Sequence, residues 1–195
     1  MWIFKNNSSR SEFYLTINLK VNTFVAIKRL DDFCGSKVNF YSVHFEGNEE
    51  NEFYEFLARM EDEPDVVDEL EKLIVWLELI ANKYGAQSKY FRHEGLYSDA
   101  SALPPPRNIM RINELEVNHL RLYCLRANEN VVFLFNGGIK SQGIDKAQYC
   151  PNVRPYFIQA NELSDKINEL FQQKIILWNN DHSDIIMEND GIFEL

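Results

Sequence analysis

The chain has 195 residues, 45% of them apolar, with 14 Phe, 9 Tyr, 3 Trp, 8 Gly, 6 Pro and 3 Cys. This excludes a collagen-like, low-complexity, disordered or disulfide-stapled chain and suffices for a single domain with its own core, at roughly 100–200 residues per domain. A net charge of −10 excludes a uniformly basic nucleic-acid binder, but the charge is uneven: residues 46–79 carry 13 carboxylates against Arg59 and Lys72, while residues 1–45 and 80–175 are each net basic.

Residues 12–20 and 24–30 are rich in aromatic and β-branched side chains and read as strands, as do residues 38–46 after the Cys34-Gly35-Ser36 turn. From Asn48 the period changes. Phe53, Phe56, Leu57 and Met60 fall at helical spacing, and the stretch from Glu61 to Pro64 ends that helix. A second helix starts near Asp65, carries Val66, Leu70, Leu73, Ile74, Leu77 and Ile80 on one stripe, and stops at Gly85. The two make a helical hairpin that must lay its apolar face on a sheet, with its acidic block turned to solvent.

Residues 88–93 read as a further strand, and Leu103-Pro104-Pro105-Pro106 as an extended connector. Residues 119–126 and 131–135 are strong strands joined by the four-residue turn 127–130. Alternation puts Leu120, Leu122 and Cys124 on one face and Arg121, Tyr123 and Leu125 on the other. Pro155 opens a helix through Leu163, Ile167, Leu170 and Phe171. The acidic tail offers Asn189-Asp190-Gly191 as a hairpin turn between residues 184–188 and 192–195.

No apolar run approaches the roughly 18 residues of a membrane span, and residues 1–10 lack the apolar stretch of a signal peptide, so a soluble cytoplasmic protein with no membrane partner is expected. Cys34, Cys124 and Cys150 are odd in number and form no C-x-x-C pair, which favours reduced thiols. Gly137-Gly138-Ile139-Lys140-Ser141 lacks the upstream glycine of a phosphate loop. His44, His93, His119 and His182 show no metal-ligand spacing, and Asp181-His182-Asp184 reads as solvated tail, so neither metal nor cofactor is expected. What remains is a set of cations on the predicted strands: Lys89, Arg92, Arg121, Arg126 and Lys140. Gathered around Tyr123, they would bind a phosphodiester and stabilise the charge of its cleavage, with Arg92 and Arg126 as RNA-binding positions.

The order of elements and several strings resemble the RelE/HigB-like toxin superfamily, including its phage-derived branch. Residues 40–45 followed by Asn51-Glu52-Phe53-Tyr54-Glu55-Phe56-Leu57 resemble its first strand and "EFL" helix start. Residues 79–85, Ser88-Lys89-Tyr90-Phe91 and Gly95-Leu96-Tyr97 resemble the approach to its "GLYELR" motif, and Leu120-Arg121-Leu122-Tyr123 with residues 131–140 its "R-x-x-Y" hairpin. The chain departs from these motifs at Ser98-Asp99-Ala100, where the family has Glu-Leu-Arg, and at Ser141, where it has a second lysine.

The resemblance implies an α+β fold: an antiparallel sheet with a packed helical hairpin and a C-terminal helix. It spans residues 38–173, with a strand extension over 1–37 and an acidic tail over 174–195. It also implies Lys89, Arg121, Lys140 and Tyr123 as catalytic residues of a metal-independent, ribosome-associated endoribonuclease, with mRNA on the ribosome as target and an antitoxin protein as partner. The rival expectation is a noncatalytic interaction module that keeps this fold and binds a basic partner through its acidic hairpin or sheet edge.

Overall fold

A computed structural model describes residues 24–95, 98–112, 115–144, 146–187 and 191–194. The strand expected at residues 12–20 lies outside them. The chain folds as an α+β protein. In order, the elements are β1 (Phe24–Arg29), β2 (Asn39–Phe45), α1 (Glu52–Glu61), α2 (Val67–Leu79), β3 (Arg92–His93), β4 (Ala100–Leu103), α3 (Arg107–Ile112), β5 (Leu120–Arg126), β6 (Val131–Ile139), α4 (Arg154–Gln172), β7 (Ile176–Trp178), β8 (Ile185–Met187) and β9 (Ile192–Glu194). Seven strands form one open sheet in the order β3-β4-β5-β6-β2-β1-β9, and β7 and β8 form a separate ribbon. All neighbours in the large sheet are antiparallel except β2 and β6, which run parallel and are joined by a long crossover that holds the α1–α2 hairpin and β3 to β5.

Both faces of the sheet are covered, so β5 and β6 are buried at nearly every position rather than at alternate ones. On one face Leu120, Leu122, Cys124, Val132 and Leu134 share a core with Phe53, Phe56, Leu70, Leu73 and Leu77 of the hairpin. On the other, Tyr123, Leu125, Phe133 and Phe135 pack with Phe157, Ala160, Leu163 and Ile167 of α4. Asn51 caps α1 by accepting from the Phe53 and Tyr54 amides at 3.1 Å, and Gly85, at φ 70°, halts the π-type turn that ends the second helix.

Several expectations are corrected. Residues 88–93 form a 3₁₀ turn at Ser88–Tyr90 and only a two-residue strand. β4 and α3 occupy the stretch around the proline run that periodicity leaves as connector, and β6 continues through Gly137-Gly138. The two tail strands do not pair with each other: β8 pairs with β7, and β9 with β1. The ribbon is tied to the sheet by Arg29 Nη1, 2.7 Å from Asp184 Oδ2. Nor is the acidic block wholly solvent-facing. Glu52 is 4% exposed and accepts from Asn136 Nδ2 at 3.0 Å, and burial raises its pKa. Glu69 also turns inward.

Candidate anion-binding site

One end of the sheet gathers the cations. Register pairs Leu120 with Ile139 and Arg121 with Gly138, and the Lys140 amide extends the ladder by donating to the His119 carbonyl at 2.7 Å. His119, just before β5, and Arg121 on it therefore stand beside Lys140, just after β6. Between Leu122 and Cys124 the pairing slips: Phe135 and Asn136 together stand opposite Tyr123 in a bulge, and the ladder resumes from Leu122 and Gly137 to the site. Gly137 is required there, because a Cβ would sit 1.9 Å from the Arg121 carbonyl oxygen.

Two adjoining recesses of about 480 and 490 Å³ open at this end and share Arg107, Asn118, Arg121 and Lys140. The first adds His119, Ser141 and Gln142, and the second adds Arg92, Met110 and Val117. Among the described residues, none that lines either recess is acidic. Arg121 is only 6% exposed and donates Nη1–H to the Leu120 carbonyl at 2.7 Å. Burial, then the neighbouring Arg92, lower its pKa to about 10, against the opposing pull of Glu94. Lys140 is lowered by burial and then by Arg121 and Arg92. Arg92 donates Nη2–H to the Pro105 carbonyl at 3.2 Å, while its buried Nε has no hydrogen-bond partner. The carboxyl of Glu94, whose burial raises its pKa, feels Arg92, Arg121 and Lys140 as compensating charges.

At the first recess His119 is held from both sides. Its Nδ1 lies 2.8 Å from Glu69 Oε1, and its Nε2 lies 2.8 Å from Gln142 Nε2. An amide nitrogen donates, so Nε2 is the acceptor and Nδ1 carries the proton given to Glu69. Glu69 Oε2 also accepts from the backbone N–H groups of Asn118, His119 and Leu120 at 3.1, 2.8 and 3.2 Å. Burial alone would raise the Glu69 pKa, but these hydrogen bonds from His119, Asn118 and Leu120 together hold it below the ordinary value.

Of the residues singled out from sequence, Arg92, Arg121 and Lys140 converge here. Arg121 is buried rather than part of a solvated face. Tyr123 is sealed in the α4-side core, 0% exposed with its hydroxyl unpartnered, and cannot touch a ligand in the recesses. Lys89 sits on the 3₁₀ turn with Nζ 4.8 Å from the Tyr90 ring centre and lines neither recess. Arg126 ends β5, about 16 Å along the strand from Arg121, and donates to the Ala86 carbonyl at 3.2 Å.

Sequence reasoning missed Arg107, His119 and Gln142. For His119 a signal existed, since it stands two residues before Arg121 on the same strand face. Its partner Glu69 lies 50 positions away, beyond any local spacing. Among the described residues, no group of three or more His, Cys, Asp or Glu is placed to hold a metal ion, and no helix is long and apolar enough to cross a membrane. No protein family, curated protein or solved structure matches the chain.

Proposed function

We propose that this cleft binds the phosphodiester backbone of RNA and cleaves it, making the chain a toxin-like endoribonuclease that acts on ribosome-associated mRNA and is held in check by an antitoxin protein. The observation that carries this reading is the convergence of Arg92, Arg107, Arg121 and Lys140 on two joined recesses. Burial and mutual repulsion make Arg121 and Lys140 poorer hosts for their own protons than the same groups in water, so both gain when a phosphate arrives. In the reaction the RNA 2′-oxygen attacks the adjacent phosphorus, the P–O5′ bond breaks, and the guanidinium groups stabilise the added negative charge. The sequence of a strand, a helical hairpin, antiparallel strands and a C-terminal helix supports the toxin assignment.

A second reading, a noncatalytic module that takes a basic partner, is favoured by a recess of about 400 Å³ on α1, where Phe33, Tyr54 and Leu57 lie between Glu50 and Glu61. Expression in growing bacteria separates the two. The enzyme reading expects arrested growth and cut mRNA, both lost in an Arg107→Ala/Lys140→Ala double variant. That variant should also reduce the slope of log affinity for RNA against log salt by about 2, one per phosphate contact removed. A harmless parent that cuts no mRNA on translating ribosomes refutes the enzyme. A parent with no salt-dependent RNA affinity refutes the cleft as an RNA site.

A further inference from the structure

We propose that His119 is the proton acceptor of this cleft, with Glu69 as its positioning residue and Gln142 as a cap that RNA displaces. The inference rests on the RNA-cleaving reading and deepens it. Cleavage through the 2′-oxygen needs a group with a lone pair to take the 2′-OH proton, and the guanidinium groups of Arg92, Arg107 and Arg121 have none. His119 Nε2 does. It faces the recess shared with Arg121 and Lys140, and the Glu69 carboxylate fixes both the tautomer and the ring plane from behind, at 2.8 Å. Glu69 is itself fixed by three backbone amides, so the pair is held before any ligand binds.

The Nε2 lone pair accepts from Gln142, which stands on the turn after Lys140 and so can be exchanged for a substrate hydroxyl without disturbing the sheet. The groups facing the imidazole are Glu69 from α2, Arg121 from β5, Lys140 at the end of β6, and Arg107 from α3. The step balances. The 2′-OH proton passes to His119 Nε2 as the 2′-O–P bond forms. The P–O5′ bond breaks, and the departing oxygen takes a proton from the Lys140 ammonium. The products are a 2′,3′-cyclic phosphate and a 5′-hydroxyl, and His119 and Lys140 then exchange protons with water.

The test is single-turnover cleavage of an RNA by the full chain, beside binding of the same RNA carrying 2′-O-methyl groups, which cannot be cut. His119→Asn retains an N–H donor toward Glu69 but has no basic nitrogen. It should lose about 10²- to 10⁴-fold in cleavage and keep its affinity for the methylated RNA within about 3-fold. Glu69→Gln, whose amide can present an N–H to Nδ1 and so release the tautomer, should slow single-turnover cleavage at saturating RNA while leaving affinity for the methylated RNA within about 3-fold; a merely structural partner would change both together or neither. Where His119→Asn fails to fold, added imidazole should restore cleavage to folded His119→Ala. A parent that cuts while His119→Asn cuts equally well, or a folded His119→Ala that imidazole does not rescue, overturns His119 as acceptor and leaves the RNA-cleaving reading standing. A parent that binds but never cuts overturns that reading and this inference together.

Discussion

Glu69→Ala is the sharpest structural probe of this end of the molecule, because one carboxylate joins the first turn of α2 to the start of β5. Its removal deletes the contact to His119 Nδ1 and leaves three backbone donors without their acceptor, at 3.1, 2.8 and 3.2 Å. The Asn118 amide is exposed and water replaces its bond, but the His119 and Leu120 amides are partly buried, and the carboxylate side chain is only 13% exposed. Hydrogen bonds to a charged group contribute about 1.5–3 kcal/mol each, so two poorly rehydrated donors give an expected loss of about 3–6 kcal/mol near pH 7. The pH dependence has a definite sense. The folded carboxyl lies below its ordinary value of 4.5, so its stabilisation is present in full above that value and is lost as pH falls through the lower folded value. Urea melts of parent and variant should therefore differ most at neutral pH and draw together as the pH falls below the ordinary carboxyl value of 4.5. A gap under about 0.5 kcal/mol at neutral pH, or one that stays constant with pH, would refute the staple.

Two other changes probe how the site is supported. Leu73→Ala truncates a 1% exposed side chain in the core shared by α2, β5 and β6 and should cost about 2–5 kcal/mol in a denaturant melt; less than about 0.5 kcal/mol would mean that the hairpin is not docked on this face. Gly137→Ala places a Cβ 1.9 Å from the Arg121 carbonyl oxygen, backbone that can relieve the clash only by opening the bulge. Its melting temperature should drop by about 4 °C or more, corresponding to about 2 kcal/mol, and a variant that melts with the parent would refute the close approach.

What was readable in the sequence was the periodic part of the fold. The stripe Leu70, Leu73 and Leu77, the alternation of Leu120, Leu122 and Cys124, the stop at Gly85 and the start at Pro155 each rest on spacing within one element, and each finds its place in the structure. What escaped was set by partners distant in sequence. Ala100–Leu103 is a strand because β5 pairs with it, not because Ala-Ser-Ala-Leu favours one. The segment of residues 184–187 looks ready to turn back on residues 192–194, but it pairs with Ile176–Trp178, where Asp184 also meets Arg29 and Tyr41.

The site divides along the same line. Arg121 and Lys140 are legible because they end neighbouring strands joined by one turn. Lys89 had no periodic support beside them and lies elsewhere, while Tyr123, though two residues from Arg121 on the same strand, is capped by α4 and packs edge-on to Phe157 at 6.1 Å. Alternation tells which face a side chain takes but not whether a helix covers it.

The same division explains how a chain of net charge −10 holds an anion site. Exposed charges are screened over about 8 Å at physiological ionic strength, so the carboxylates on the outer faces of α1 and α2 weigh little on a recess lined by three arginines and a lysine. Inside the recess screening is weak, and neither Arg92 nor Arg121 has a carboxylate at ion-pair distance among the described residues. The charged form of Arg121 is therefore less favoured here than in water, which is the sense of its lowered pKa. An anion that binds removes that penalty as well as adding its own contacts, so the cleft selects for charge before shape. The hydrogen bonds from the His119 ring and three backbone amides hold Glu69 ionised and turned inward, where it orients His119 while its pull on Arg121 ranks below burial and Arg92.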